Sequence, residues 1–342
     1  MLVKFSFPDS ELWFPSLSTQ VPDSPFQNEL LTKLFEISMH VSTPLTIALV
    51  YFSTVHFLNP IVRSRQISKY LKKNPQEKAE NLTEKQLKRL PTAPYYIATT
   101  SIFKIFVVLH NVFLCVYSLW TFIGFTKTIA TTMDVLAGDV FPKIVQIDSF
   151  KKVDLFFQTI CSPHEGVFSK FITTKGLQNL ELYGWWFYMS KFYEVLDTII
   201  ILLKGRPSSL LQSYHHAGAM MCMWAGVRFQ SPPIWIFVVF NSFIHSLMYF
   251  YYTLSCLHIR VPIIFKRVLT SLQITQFVVG GSFGVLHLFV SIIDTSNTDE
   301  LTWVNCMKSG DQTLPLLLNV AYLTPLTALF AAFYIESYLK RK

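Results

Sequence analysis

The sequence predicts an all-α polytopic membrane protein with seven transmembrane helices. The chain of 342 residues is 51% apolar, and its mean hydropathy is +0.38. Its apolar residues fall in runs of roughly 20 or more, the length that crosses a bilayer. These runs lie at about 38–58, 98–124, 182–203, 209–229, 233–257, 263–290 and 314–338. The sequence shows neither a Gly-rich phosphate loop nor an internal repeat, so nucleotide-binding and solenoid folds are not supported, and we expect no nucleic-acid partner.

We interpret residues 1–342 as one membrane domain. The segment 1–37 holds four prolines and several carboxylates, which do not form the apolar core of a cleaved signal peptide, so the first span must direct targeting. Residues 60–96 form a basic loop, and residues 181–290 carry the polar motifs. Residues 125–180 are predicted to be a loop with interfacial helices, because Pro142, Pro163 and scattered charges interrupt the apolar runs.

The charges of the loops predict an orientation. The segment 60–96 holds nine lysines and arginines, and Lys204, Arg206, Arg260, Lys266, Arg267 and the tail Lys340, Arg341 and Lys342 continue this basic side. The segment 291–312 has one lysine against four acidic residues, Asp294, Asp299, Glu300 and Asp311. By the positive-inside rule, the N-terminus is lumenal and the C-terminus cytosolic. Cys161 and Cys306 then fall in two lumenal loops, where they either pair or remain free thiols.

Four successive spans each carry polar residues on one face of the helix, at 100° per residue. Ionisable groups are costly inside a bilayer, so these faces should line a shared polar chamber near the cytosolic side. An isolated Asn or Gln is also compatible with simple inter-helix contacts. Ser208 or Ser209 is available to cap the fourth span. The faces comprise Lys191, Glu194, Asp197 and Thr198 in the third span, Gln212, His215 and His216 in the fourth, Asn241, His245, Met248 and Tyr252 beside Tyr249 in the fifth, and Thr270, Gln273 and Gln276 in the sixth.

Imidazoles, carboxylates that orient them, and amides that donate to a negative oxygen together suit acyl transfer. A neutral imidazole can attack a thioester and form an acyl-imidazole. Metal binding is the rival use of the same histidines.

The four motifs resemble, in order, the signature set of the ELO family of very-long-chain fatty acid elongases, the 3-oxoacyl-CoA synthases of the endoplasmic reticulum. They are KxxExxDT from Lys191, QxxHH from Gln212, NxxxHxxMYxYY from Asn241 and TxxQxxQF from Thr270. The resemblance implies condensation of a long acyl-CoA with malonyl-CoA, in a closed acyl-chain tunnel ringed by spans two to seven. It implies no metal and no cofactor, since a partner 3-oxoacyl-CoA reductase and the other elongation-cycle enzymes complete the cycle. A homodimer is compatible with it.

The resemblance also implies roles for individual residues. His215 is the acyl-accepting nucleophile, His245 its proton shuttle or orienting partner, and His216 a ligand of the malonyl unit. Asp197 and Glu194 fix imidazole tautomers, and Gln212 and Asn241 donate to the enolate. Lys191 either pairs with those carboxylates or meets a substrate carboxylate. The substrate-binding set adds Tyr249, Tyr252, Gln273, Gln276 and, for CoA phosphates at the cytosolic mouth, Lys204, Arg206, Arg260, Lys266 and Arg267; for each of these cations, the positive-inside rule alone is an equal explanation.

Three alternatives stay open. Cys222 could be mistaken for the cysteine nucleophile of soluble condensing enzymes. A membrane di-iron desaturase or hydroxylase also uses histidine boxes, but it needs about eight histidine ligands in several clusters, and the nine histidines here contain one adjacent pair. A non-enzymatic seven-helix receptor or transporter leaves the histidine faces unexplained. Gln212, where many family members have His, resembles fungal and algal elongases of polyunsaturated chains and thus favours an unsaturated or polyunsaturated substrate.

Overall fold

The computed structural model describes residues 2–18, 20–144, 151–296 and 302–340, and this part of the chain is mostly helical. Arg341 and Lys342 of the basic tail, and Asp299 and Glu300 of the acidic loop, lie outside these ranges, as do the side chains of Lys85 and Lys88. The helices are α1 (Glu29–Met39), α2 (Ser42–Lys73), α3 (Glu84–Lys88), α4 (Tyr96–Thr99), α5 (Ser101–Val135), α6 (Phe141–Ile144), α7 (Lys152–Cys161), α8 (Lys170–Thr174), α9 (Leu180–Tyr193), α10 (Val195–Leu203), α11 (Leu210–Arg228), α12 (Ile234–Ile236), α13 (Ser242–Cys256), α14 (Ile263–Leu286) and α15 (Gly310–Tyr334).

Short irregular turns connect or extend these helices. Wider π-helical turns occur at Leu136–Val140, between α5 and α6, at Phe237–Asn241, between α12 and α13, and at Ile335–Leu339, after α15. Tighter 3₁₀ turns occur at Ser10–Trp13, Ala79–Asn81 and His287–Phe289. The π-helical turns and the 3₁₀ turn His287–Phe289 directly adjoin α-helices and continue their helical hydrogen bonding, whereas Ser10–Trp13 and Ala79–Asn81 are isolated turns between extended segments.

Five helical stretches among the described residues are long and apolar enough to cross a membrane. They are Ser42–Lys73, Ser101–Ile144, Ile234–Cys256, Ile263–Phe289 and Gly310–Leu339. Each coincides with one of the seven predicted spans. The length and composition of these helices therefore confirm the prediction of a multi-pass membrane protein.

The remaining two predicted spans are helical but do not reach the length or hydropathy of a membrane span, so the count of seven is not confirmed. The run 182–203 divides at Glu194 into α9 and α10. The run 209–229 is α11, whose hydropathy is lowered by its polar motif. α11 packs against α2, α9 and α15, a central position that shields polar side chains from lipid.

Two predicted loop boundaries are wrong. The sequence predicts a loop at 60–96, yet α2 continues to Lys73 with Pro60 inside it. Transmembrane helices tolerate such a proline where neighbouring groups satisfy the freed carbonyl. The loop expected from residue 125 begins later, since α5 runs to Val135 and helical structure continues to Ile144. Pro142 lies inside this continuous helical stretch and does not end the helix, contrary to the expectation from the sequence.

The all-α prediction missed a small antiparallel sheet. Strands β1 (Val3–Phe5), β2 (Val290–Ile293) and β3 (Trp303–Asn305) pair in the order β1-β2-β3. The predicted sixth span extended to residue 290, but the 3₁₀ turn ends the helix and the β-branched run that follows favours an extended chain.

The sheet marks one end of the bundle. There a disulfide joins Cys161, at the end of α7, to Cys306, directly after β3. Nearby, Nε2 of Gln158 donates to the carbonyl of Leu2 at 3.0 Å. Three regions therefore meet at this end, through β1 of the N-terminal segment, α7 of the 125–180 region and β3 of the 291–312 region. The predicted topology assigns all three regions to the same side of the membrane.

The basic loop lies at the opposite end. The N–H of Ala93 donates to the carbonyl of Gly205 at 3.2 Å, and the N–H of Tyr95 donates to the carbonyl of Leu203 at 3.0 Å. Asn59, in α2, contacts the backbone of Ser208 through both amide atoms. These contacts hold the 60–96 segment against the turn between α10 and α11, which directly precedes the QxxHH motif in the chain.

Candidate active site

The polar faces of α10, α11, α13 and α14 meet around a cavity of about 610 Å³, which residues of α5 and α15 also line. Most of the side chains singled out from the sequence lie on its wall. These are Asp197, Lys204, Gln212, His215, His216, Asn241, His245, Tyr252, Lys266, Gln273 and Gln276. The polar face of the third span is divided: Asp197 lines the cavity, whereas other residues of this face are buried behind its wall.

The other predicted residues do not line this cavity. Lys191, Glu194 and Tyr249 are buried behind its wall, whereas Arg206, Arg260 and Arg267 lie at the exposed surface. Nε of Arg267 donates to the hydroxyl of Tyr334 at 2.7 Å.

Lys191 and Glu194 form a buried ion pair at the junction of α9 and α10. Nζ of Lys191 lies 2.7 Å from Oε1 of Glu194 and 3.2 Å from Oδ1 of Asn241. The ammonium also lies 4.0 Å from the centre of the Phe187 ring. Of the two roles considered for Lys191, this geometry favours the structural pairing with a carboxylate.

Glu194 also faces two of the three motif histidines. Its carboxylate oxygens lie 3.6 Å from Nδ1 of His245 and 4.0 Å from Nδ1 of His216. These separations exceed a hydrogen bond, but they place negative charge where either imidazole would gain a proton. Glu194 thus serves both rings through electrostatics.

The three histidine rings are neighbours in space. The centre of the His215 ring lies 5.4 Å from that of His216 and 6.2 Å from that of His245. His215 and His216 come from α11 and His245 comes from α13, so two helices bring the three rings together.

His215 is held by a tyrosine outside the motifs. The hydroxyl of Tyr322, in α15, lies 2.9 Å from Nδ1 of His215 and donates to the backbone carbonyl of the same residue at 3.0 Å. Sequence reasoning missed Tyr322, because it lies in an apolar span that shows no polar face.

Asp197 contacts a histidine that lies outside the four motifs. One oxygen lies 2.9 Å from Nε2 of His110, in α5, and the other accepts from the hydroxyl of Tyr249 at 2.6 Å. His110 is buried, and the pair His110 and Asn111 in an otherwise apolar span was the sequence signal that could have revealed it.

Gln212 is the first residue of the QxxHH motif and takes part in a polar chain. Its Nε2 donates to Oγ1 of Thr198 at 3.1 Å, and Thr198 in turn lies 2.8 Å from the hydroxyl of Tyr51. Ser209 caps α11 by accepting from the N–H of Gln212, which settles the choice between the two serines. Gln212 is therefore fixed in orientation on the cavity wall.

Asn241 ends the π-helical turn that precedes α13, and such turns are frequent at functional sites. Its Oδ1 accepts from Lys191, which leaves the Nδ2 hydrogens for other acceptors. Gln276, opposite, has a buried Oε1 with no hydrogen-bond partner among the described residues.

A second, narrower cavity of about 50 Å³ continues from this wall. Asn241, Gln276 and Phe277 line both spaces. The narrow one is mostly apolar, and Cys222, Gly280, Gly281, Gly284, Leu316 and Leu323 are among its lining residues. Cys222 thus belongs to the narrow apolar cavity and not to the histidine chamber.

Within the part of the chain that the structure describes, no group of three or more His, Cys, Asp or Glu side chains is placed to hold a metal ion. The motif histidines instead face Glu194 and Tyr322, and His110 faces Asp197.

Comparisons with known proteins match the chain to one family. Residues 36–342 match the model of the ELO family, described as the GNS1/SUR4 family. Fatty acid elongase A of Dictyostelium discoideum is 27% identical over 69% of this chain and 73% of its own length. Putative fatty acid elongase 3 of Caenorhabditis elegans is 34% identical over 46% of this chain and 47% of its own length.

Very long chain fatty acid elongase 3 of Homo sapiens is 30% identical over 54% of this chain and 60% of its own length. The chain therefore spans between about half and three quarters of the length of these relatives. No solved structure matches the chain. Because the family model covers nearly the whole chain, this protein belongs to the ELO (GNS1/SUR4) family, whose curated members matched here are named fatty acid elongases.

Proposed function

We propose that this protein is the condensing enzyme of fatty acid elongation, joining a long acyl-CoA to malonyl-CoA to give a 3-oxoacyl-CoA two carbons longer, CO₂ and CoA. The observation that carries the proposal is the single cavity lined by His215, His216 and His245 together with the amides of Gln212 and Asn241. Family membership and the names of the relatives support it independently.

The first half-reaction is acylation of His215. A ring nitrogen attacks the thioester carbonyl, a C–N bond forms, the C–S bond breaks, and the CoA thiolate takes a proton from solvent. A neutral imidazole is needed for this attack. The burial of His215 among two other histidines favours that neutral form, because each additional positive charge there would repel its neighbours.

The second half-reaction is decarboxylative condensation. Loss of CO₂ from malonyl-CoA leaves an enolate, whose oxygen needs hydrogen-bond donors. Asn241 retains both Nδ2 hydrogens, because its contact with Lys191 uses the amide oxygen. Gln212 retains the second hydrogen of Nε2, because the first is donated to Thr198. His216 is placed to polarise the malonyl carbonyl, and His245, beside Glu194, to move a proton.

CoA reaches the chamber from the basic end. Lys204 and Lys266 line the cavity, and cations at that mouth suit the phosphates of CoA. Arg206, Arg260 and Arg267 lie at the exposed surface, where they act as a surrounding positive field and not as wall residues.

In this proposal the acyl chain extends beyond Gln276 and Phe277 toward the apolar residues that line the narrow cavity. We propose that the tunnel is closed at its far end. In this proposal α9–α10 and α11 complete a seven-span bundle in the endoplasmic reticulum membrane, with the N-terminus lumenal. The substrates are acyl-CoA and malonyl-CoA without a further cofactor or metal. The product passes to a 3-oxoacyl-CoA reductase and the other elongation enzymes, and a homodimer is compatible with the fold.

One assay separates this function from its rivals. Microsomes containing the protein are given labelled malonyl-CoA and a panel of saturated, monounsaturated and polyunsaturated acyl-CoAs, and product lengths are measured. We expect label in products two carbons longer, best with an unsaturated or polyunsaturated chain, and none with His215→Ala. Iron-dependent oxidation of the chain without malonyl-CoA would indicate a desaturase or hydroxylase, and saturable binding without product would indicate a receptor or transporter.

A further inference from the structure

We propose that Tyr322 is a positioning residue that fixes the tautomer of His215. In this tautomer Nδ1 carries the proton, and the lone pair of Nε2 is free to attack the thioester. This inference rests on the proposed function, in which His215 accepts the acyl group. Tyr322 lies in α15, outside the four motifs, and acts on the substrate only through the imidazole.

One hydroxyl proton has to serve two neighbouring atoms. The Tyr322 hydroxyl has one hydrogen and two neighbours on His215, the carbonyl oxygen at 3.0 Å and Nδ1 at 2.9 Å. A carbonyl oxygen can only accept. If the hydroxyl gives its hydrogen to the carbonyl, it accepts from an Nδ1–H, and both contacts are hydrogen bonds.

The opposite assignment satisfies only one contact. If the hydroxyl donated to Nδ1, its oxygen would face the carbonyl oxygen of His215 at 3.0 Å with no hydrogen between them. Two acceptors held this closely repel each other, and in a buried site that repulsion is weakly screened. The tautomer with the proton on Nδ1 is therefore the favoured one.

The sequence builds this contact from both helices. Gly218, three residues after His215, leaves space that the Tyr322 ring fills, because a Cβ at Gly218 would lie 2.2 Å from Cε2 of Tyr322. Tyr214, one turn before Gly218 on α11, stacks on the same ring at a centroid distance of 5.6 Å and an interplanar angle of 27°, and its hydroxyl donates to the Tyr322 carbonyl at 3.3 Å. The Tyr322 ring is thus packed against two successive turns of α11, so its hydroxyl has a defined position.

The tautomer gives a cycle in which His215 never has to lose a proton. Nε2 attacks the thioester, the C–S bond breaks, and the thiolate takes a proton from water. The acyl group is then on Nε2 of an imidazolium whose Nδ1–H is bound to Tyr322. When the malonyl-derived enolate forms the new C–C bond, the C–N bond breaks and its electron pair returns to Nε2, which restores the neutral ring.

The kinetic experiment uses the full-length protein in detergent with Tyr322→Phe, which keeps the ring and removes the hydroxyl. We expect the rate of acyl-enzyme formation from labelled acyl-CoA, without malonyl-CoA, to fall about 10- to 100-fold, the effect of one hydrogen bond to a charged group. KM for acyl-CoA should stay within twofold. The matched control is Tyr188→Phe, which also loses a buried hydroxyl that donates to a backbone carbonyl, that of Ser38 at 3.0 Å, away from the cavity. It should acylate near the wild-type rate.

A spectroscopic experiment tests the tautomer without activity. The ¹⁵N signals of histidine-labelled protein are compared with those of His215→Gln, which identifies His215. We expect a protonated Nδ1 and an unprotonated Nε2 in the wild type, and a shift toward the other tautomer in Tyr322→Phe. A wild-type Nε2–H, or an unchanged tautomer together with unchanged acylation in Tyr322→Phe, would overturn the inference. Absence of any acyl-enzyme in the wild type would instead refute the acyl-imidazole of the proposed function.

Discussion

Nζ of Lys191 lies 2.7 Å from Oε1 of Glu194, and both side chains are almost fully buried, with relative accessibilities of 1% and 2%. Glu194 sits between α9 and α10 and faces His216 and His245. The ion pair therefore balances the charge of the carboxylate that the two imidazoles share. Lys191 is thus paired behind the cavity wall and is not one of the residues that line it.

Removing the Lys191 ammonium should destabilise the protein through Glu194. Lys191→Met leaves Glu194 as an uncompensated buried charge, and breaking one half of a buried pair costs about 3–5 kcal/mol. We expect a lower thermal midpoint for detergent-solubilised Lys191→Met. The double variant Lys191→Met/Glu194→Gln should recover much of the loss, because the orphan charge is gone. Equal stability of the single and double variants would argue against the pair.

The contact between His110 and Asp197 should control turnover. His110→Ala removes the 2.9 Å partner of one Asp197 oxygen, which leaves a buried acceptor unsatisfied at about 1–3 kcal/mol. We expect kcat to fall roughly 10-fold, with partial rescue in His110→Gln, whose amide can donate. Equal condensation rates of His110→Ala and His110→Gln would show that turnover does not depend on the hydrogen bond to Asp197.

The proposed orientation can be read from glycosylation. Asn81-Leu82-Thr83 is a sequon at the basic end, so on a cytosolic loop it should stay unmodified in microsomes. Leu17→Asn creates a second sequon with Ser18 and Thr19 at the opposite end, where Leu17 has a φ of 54° that Asn accepts readily. We expect an endoglycosidase-sensitive mass shift only in that variant. A glycan on Asn81 would invert the topology.

The narrow cavity should limit product length. A Cβ at Gly284 would lie 3.0 Å from Cδ1 of Leu316, and a Cβ at Gly280 would lie 3.1 Å from Cγ2 of Ile236. Gly284→Leu should therefore fill the cavity and shorten the longest product by at least one two-carbon cycle. The control is Gly138→Leu, since a Cβ at Gly138 meets nothing within 4 Å. Unchanged product lengths in Gly284→Leu would place the acyl chain elsewhere.

Sequence patterns predicted the helices better than their ends. Long apolar runs identify a helix because the bilayer demands one, but a run does not say where a helix stops once it leaves the lipid. α2 and α5 continue past their apolar runs for that reason. Hydropathy could not predict the sheet, because its strands are far apart in the chain. Lys4 of β1 pairs with Ser291 of β2, 287 residues later, and only the tertiary fold brings them together.

The site was predictable where polarity was unusual for a span. Gln212, His215 and His245 stand out in apolar surroundings, and they line the chamber. Tyr322 was missed because a tyrosine in a span is ordinary. His110 was missed because it lies outside the four motifs, although the polar pair His110 and Asn111 in an apolar span was a signal. Only the packing of α15 and α5 gives each residue its partner. Burial also divided the KxxExxD motif, placing Asp197 on the wall and Lys191 behind it.

Trapping the acyl-enzyme decides whether His215 is the nucleophile. The purified protein is incubated with labelled acyl-CoA and no malonyl-CoA, then digested, and the labelled peptide is identified by mass spectrometry. We expect the label on the peptide containing His215, its absence in His215→Ala, its retention in Cys222→Ala, and its release as 3-oxoacyl-CoA when malonyl-CoA is added. Label retained in His215→Ala and lost in Cys222→Ala would contradict the imidazole mechanism.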